Sequence, residues 1–179
     1  ALLTSLSITY GKNDHAFTHV GSHTVVCPTG DVTFLSQTDV NNFVATYPGC
    51  TVITGYVHIG PSSLGDPVSD LSGLSSLLSI TGGLDIRQNP ALASLNGLHN
   101  ISGQIGLFLY DNLILSDITA LSQITGTTTG LTIGKNPALL NLNGLNGLTS
   151  INFQLNIIDN AGLTSLHALS NLTQILGAN

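Results

Sequence analysis

The chain has no glutamate, no methionine and no tryptophan, and its only lysines and arginines are Lys12, Arg87 and Lys135. All of its acidic residues are aspartates; the formal net charge is −6, yet charged residues are only 7% of the 179 positions, against roughly 25% in an average soluble protein. Three cations are too few to neutralise phosphates, which excludes nucleic acid as a partner, and they form no polybasic segment to hold anionic lipid. No stretch approaches the roughly 18 apolar residues of a membrane span, so no membrane insertion is expected. Also missing are a P-loop, a G-x-S-x-G turn, an H-E-x-x-H helix and any pair of glutamates. No cofactor, no catalytic residue and no enzymatic activity is expected. His15, His19 and His23 recur at a regular spacing. With Gly21 between them and no Cys or Glu beside them, they read as polar tips of a surface strand rather than a metal site.

What is present is repetition. In TGGLDIRQNPALASLNGLHNI (residues 81–101), Leu84 and Ile86 alternate with Asp85, as in a short strand with one face buried. Asn89 and Pro90 turn the chain, after which Leu92, Leu95, Leu98 and Ile101 recur at every third residue, the spacing of inward corners of a coil. The unit returns three times, its strand leucines falling at Leu84, Leu107, Leu131 and Leu155, and a looser copy upstream puts Val57 in the same place. A period of about 20–29 with paired leucines and a fixed Asn marks a leucine-rich repeat solenoid. The fold expected is therefore mainly β: about five coils of roughly 23–27 residues, one parallel sheet and an N-terminal cap helix. Asn89, Asn112, Asn136 and Asn160 share one place in the repeat and are expected to satisfy backbone groups at the turn rather than to form a site.

Three segments are expected: an N-terminal extension with a possible strand (residues 1–26), an N-terminal cap (27–55) and the repeats (56–179). In the extension, Leu6, Ile8 and Tyr10 alternate with polar residues as in a strand, which favours a mature segment over the tail of a signal peptide. In the cap, Ser36 or Thr38 can start a helix carrying Val40, Phe43 and Val44, which Pro48-Gly49 ends. Such a helix would cover the bare end of the first coil. Cys27 and Cys50 flank the start of the repeats; a disulfide is expected in preference to two buried thiols, which implies an oxidising, extracellular setting. Asn100 and Asn171 begin N-x-S/T sequons, which arise from the wording of the repeat itself. The last coil, with Leu172 and Ile175, carries no helix or charge cluster to close it, so its apolar edge is expected to be continued or covered by something else.

ITGYVHIG, ITGGLDIRQNPALASLNGL and TGLTIGKNPALLNLNGL resemble the receptor L domain type of leucine-rich repeat, in particular bacterial and algal secreted proteins of that type. The resemblance spans roughly residues 27–176, the opening CPTGDVTFLSQTDVNNFV being similar to the N-terminal cap of those proteins. It implies a non-catalytic secreted or cell-surface module for adhesion or reception.

The outward positions of the strands are the candidate binding surface: Tyr56 and His58, Asp85 and Arg87, Phe108 and Tyr110, then Thr132 with glycines, then Gln154 and Asn156. Strands about 4.8 Å apart would merge the first three pairs into one patch of aromatics around an arginine, suited to a protein or glycan partner. The blander alternative is cross-strand pairing that only stabilises the sheet. Asp85 beside His58 imitates a catalytic dyad, but a sheet face in a short solenoid is expected to offer little concavity for one. A different class of function is a structural subunit that joins copies of itself head to tail, through Leu6, Ile8 and Tyr10 at one end and Leu172 and Ile175 at the other. Ice binding is disfavoured, because Thr125 and Thr127 to Thr129 cluster without a Thr ladder between coils.

Overall fold

Asn89, Asn112, Asn136 and Asn160 set the pitch of the molecule. A computed structural model describes residues 26–62 and 64–177; the expected strand at Leu6–Tyr10 and the three histidines lie outside them. In chain order the elements are β1 (Val32–Phe34), α1 (Gln37–Thr46), β2 (Val52–Ile53), β3 (Tyr56–Ile59), β4 (Ser79–Ile80), β5 (Gly83–Arg87), β6 (Gly106–Tyr110), β7 (Gly126–Thr128), β8 (Leu131–Gly134), β9 (Leu148–Ile151), β10 (Leu155–Ile158) and β11 (Gln174–Ile175). Short 3-10 turns at Ser72–Leu74, Thr119–Gln123 and His167–Leu169 join some of them.

The six strands β1-β3-β5-β6-β8-β10 form one parallel sheet in that order. Their registers stack Val57, Leu84, Leu107, Leu131 and Leu155 in one inward row and Ile59, Ile86, Leu109, Ile133 and Ile157 in the next. Alternation thus sends the leucines and isoleucines to the core and the polar and aromatic residues to the open face. The corner leucines Leu92, Leu95 and Leu98 are fully buried, as are Leu139, Leu142 and Leu145 two coils later.

The expectation of a single sheet needs correcting. Two further parallel sheets, β7-β9-β11 and β2-β4, form on the side of the coil that leads into the main strands. Backbone between the corner leucines is also extended there, and parallel neighbours from successive coils pair wherever it is. These segments are two to four residues long, too short for the alternation that reveals a strand in sequence.

Each coil turns out of the main sheet through a left-handed residue: Gln88, Asp111, Lys135 and Asp159 have φ between 53° and 59°. An L-residue is strained there, and the asparagine that follows holds the turn. Asn89 Nδ2 donates to Arg87 O at 3.0 Å and to Ile59 O at 2.9 Å. Asn112 repeats this on Tyr110 O and Ile86 O, and Asn136 on Gly134 O and Leu109 O. The Oδ1 atoms of Asn112, Asn136 and Asn160 accept the backbone N–H of the preceding ladder residue, at 3.1, 3.1 and 3.0 Å from Asn89, Asn112 and Asn136. Ser62 closes the ladder by donating to Asn89 Oδ1.

Helix α1 starts at Ser36, whose Oγ accepts from Asp39 N at 3.1 Å while the Asp39 carboxylate accepts from Ser36 N at 2.9 Å. This is a capping box with Asp in place of Glu. Val40 and Phe43 are buried, and Phe43 meets Phe34 edge-on at 5.6 Å. Val44, expected on the same face, is instead 45% exposed, whereas Gly73 of the Ser72–Leu74 turn packs against the helix at Val40. Cys27 and Cys50 are joined in a disulfide with their Cα atoms 5.1 Å apart.

Candidate functional site

The open face of the main sheet gathers the outward residues of β3, β5 and β6. Register places His58 beside Asp85, Asp85 beside Phe108 and Phe108 beside Thr132. Arg87 stands beside Tyr110 in the next outward row, whereas Tyr56 lies beside Gly83. The rings of Tyr56 and His58 stack at 5.8 Å, and those of Phe108 and Tyr110 at 5.6 Å.

Asp85 ties the two stacked pairs together. Its Oδ1 accepts from Arg87 Nε at 2.9 Å, and its Oδ2 is bonded to Arg87 Nη2 and lies 3.1 Å from His58 Nδ1. The sequence placed Asp85 on an exposed patch, yet it is only 6% exposed, since His58, Arg87 and Phe108 close over it. In return, hydrogen bonding to the Asp85 carboxylate holds the Arg87 guanidinium above its ordinary pKa range. The Arg87 guanidinium also lies 5.0 Å above the Phe108 ring, a cation–π contact. Lys135 Nζ lies 5.3 Å from the Tyr110 ring, and hydrogen bonding to the Tyr110 hydroxyl raises the pKa of its ammonium.

Beside this ladder the face is not flat. A shallow cleft of about 560 Å³ crosses the strands, bordered by Tyr56, His58, Phe108, Thr129, Phe153 and Gln154. Its floor is low because Gly106 and Gly130 supply no side chain where other strands carry one.

A sequence model described as Receptor L domain matches residues 49–145, more than half of the chain. The chain belongs to the receptor L domain family. Receptor L domains are extracellular, ligand-binding and non-enzymatic, and the Cys27–Cys50 disulfide agrees with an oxidising compartment. No curated protein matches the chain.

In this receptor L domain the six expected binding residues come together on one face, Tyr56 at its edge and Asp85 beneath it. Sequence reasoning missed Lys135, Thr129, Phe153 and the glycine floor. Along the chain the glycines before each strand read as turn residues; aligning them on the repeat puts them in register with Tyr56, which is the signal that marks them. Leu6, Ile8 and Tyr10 lie outside the described residues. Leu172 is half-buried against the core, and Ile175 is 51% exposed at the end of β11. No helix of the described residues is long and apolar enough to cross a membrane. Among the described residues no three His, Cys, Asp or Glu side chains gather as metal ligands.

Proposed function

We propose that this domain is a non-catalytic surface interaction or adhesion module whose partner seats on Tyr56, His58, Asp85, Arg87, Phe108 and Tyr110. The observation that carries this reading is that the patch is ordered before any partner arrives. Two stacked ring pairs are locked to one another through the Asp85–Arg87 pair and the Arg87–Phe108 contact. Rings and guanidinium held in this way lose little conformational entropy on binding, and aromatic and Arg side chains dominate interface energetics. In this reading residues 27–55 act as the N-terminal cap, α1 laying Val40 and Phe43 over the first of about five coils, and residues 56–179 carry the surface. The test is binding of the fluorescently labelled chain to the surface of cells from its source. Phe108→Ala with Tyr110→Ala should lower cell binding tenfold or more while the urea midpoint moves only slightly. Equal binding by the double variant overturns the reading.

A second reading, self-assembly, has one observation in its favour. Leu166 and Ile175 are each more than half exposed on the last described coil, where their counterparts Leu142 and Ile151 are fully buried. A second copy laid on that face would bury them. Light scattering at rising concentration should then show growth that Ile175→Asp abolishes, and a constant monomer mass refutes it.

A further inference from the structure

We propose that the cleft beside the aromatic ladder binds a neutral, linear oligosaccharide, its chain running across the strands from Tyr56 towards Gln154. The proposal rests on the sheet-face reading above and assigns the chemistry of its ligand. The cleft lies where Tyr56, Gly83 and Gly106 stand in one cross-strand row. Gly130 and Gln154 extend the row, their carbonyls accepting from Leu107 N at 2.9 Å and Leu131 N at 2.8 Å. Tyr56 folds its ring over Gly83, so close that a Cβ there would lie 2.8 Å from it. Beyond it the Thr129 hydroxyl lies over Gly106, where a Cβ would stand 2.8 Å from it, and at Gly130 the floor is bare backbone. Crossing from β3 to β10 spans four strand gaps, about 19 Å at roughly 4.8 Å each, long enough for several linked sugars. The volume of about 560 Å³ falls within the range of about 300–1,000 Å³ typical of small-ligand sites.

Three features select the ligand class. The rings of Tyr56, Phe108 and Phe153 border the cleft, and aromatic faces pack against the C–H faces of sugars while Thr129, Thr132 and Gln154 offer hydroxyls and an amide. The Asp85 and Arg87 charges neutralise each other, so no uncompensated charge in this lining calls for a charged ligand, and a net charge of −6 repels acidic glycans. Finally, the backbone groups of β5, β6 and β8 are used on both sides by neighbouring strands. An extended peptide therefore cannot add to the sheet here by main-chain pairing.

The experiment is isothermal titration, paired with saturation-transfer NMR, of the full chain against short linear β-glucan, xylan, mannan and chitin fragments, with oligogalacturonides as acidic controls. The variant is Gly130→Val: a Cβ at Gly130 meets nothing nearer than 3.6 Å, so the added side chain starts in open space above the floor, and an unchanged urea midpoint checks that the fold is kept. Neutral fragments should bind, Gly130→Val should weaken binding at least tenfold, and Phe108→Ala should do the same. Absence of binding by every neutral fragment overturns the proposal, as does preference for oligogalacturonides or binding indifferent to Gly130→Val. If the neutral fragments fail while Phe108→Ala with Tyr110→Ala still abolishes cell binding, the sheet-face reading survives and the ligand is a protein. If that double variant also leaves cell binding unchanged, both readings fall.

Discussion

Replacing Asn112 by alanine tests the physical account of the fold most directly. Asn112 is fully buried. Its Nδ2 donates to Ile86 O at 3.0 Å and Tyr110 O at 3.3 Å, and its Oδ1 accepts from Asn89 N and Asn89 Nδ2, each at 3.1 Å. Alanine takes the side-chain partner from the Ile86 carbonyl and the Asn89 N–H, and removes the side-chain bond that closes the turn at Asp111, where φ is 59°. Two buried groups left without partners cost about 1–3 kcal/mol each, so the loss should be about 2–6 kcal/mol. Asn160 makes the equivalent bonds to Ile133 O and from Asn136 N, at 2.8 and 3.0 Å, but it is only half-buried. Water replaces those bonds, and Asn160→Ala should cost about 1 kcal/mol or less. Urea unfolding followed by far-UV circular dichroism gives both values under one protocol. Asn112→Asp sharpens the comparison, since one carboxylate oxygen then faces Ile86 O. Burial raises the folded-state pKa of that carboxyl above its unfolded value of about 3.9. The variant should therefore be most stable below the unfolded pKa and lose stability as pH rises through the folded one. If Asn112→Ala costs no more than Asn160→Ala, the ladder is not what holds the turns and the reasoning fails.

The remaining predictions concern the N-terminal segment. Cys27→Ser with Cys50→Ser opens a loop with a sequence separation of 23, so urea unfolding should show a loss of about 3 kcal/mol; a change near zero would mean that helix α1 and β1 are held without the disulfide. Ser36→Ala removes the acceptor of the Asp39 N–H and should lower stability by about 1 kcal/mol. Thr38→Ala, whose side chain bonds the Asp66 carboxylate rather than a helix N–H, should then cost less; a reversal would move the cap to Thr38.

Not all of the site was equally legible. The outward row was readable because alternation within a five-residue strand such as GLFLY fixes which side chains leave the core. The burial of Asp85 was not, because burial on an open sheet face depends on what the neighbours in other coils place over it. His58 and Arg87 reach it from different strand positions, and sequence spacing does not give that geometry. The cleft escaped for a related reason. A glycine in one repeat reads as a turn residue, and only stacking Gly106 beside Gly130 turns two absent side chains into a floor.

The sequence alone determined the repeat, its period, the inward leucines and the asparagine at each turn. These are local constraints, renewed in every coil and imposed by one-sided burial and by the need to satisfy each turn's backbone. Tertiary structure decided how coils of unequal wording align: three parallel sheets instead of one, Val44 left outside the core, and an ion pair closed beneath a histidine. It also decided where a cleft opens. Those outcomes depend on contacts between neighbouring coils, such as those that join Asn89 to Asn112 on one side and to Ile59 on the other, and a pattern read along a single strand carries no information about them.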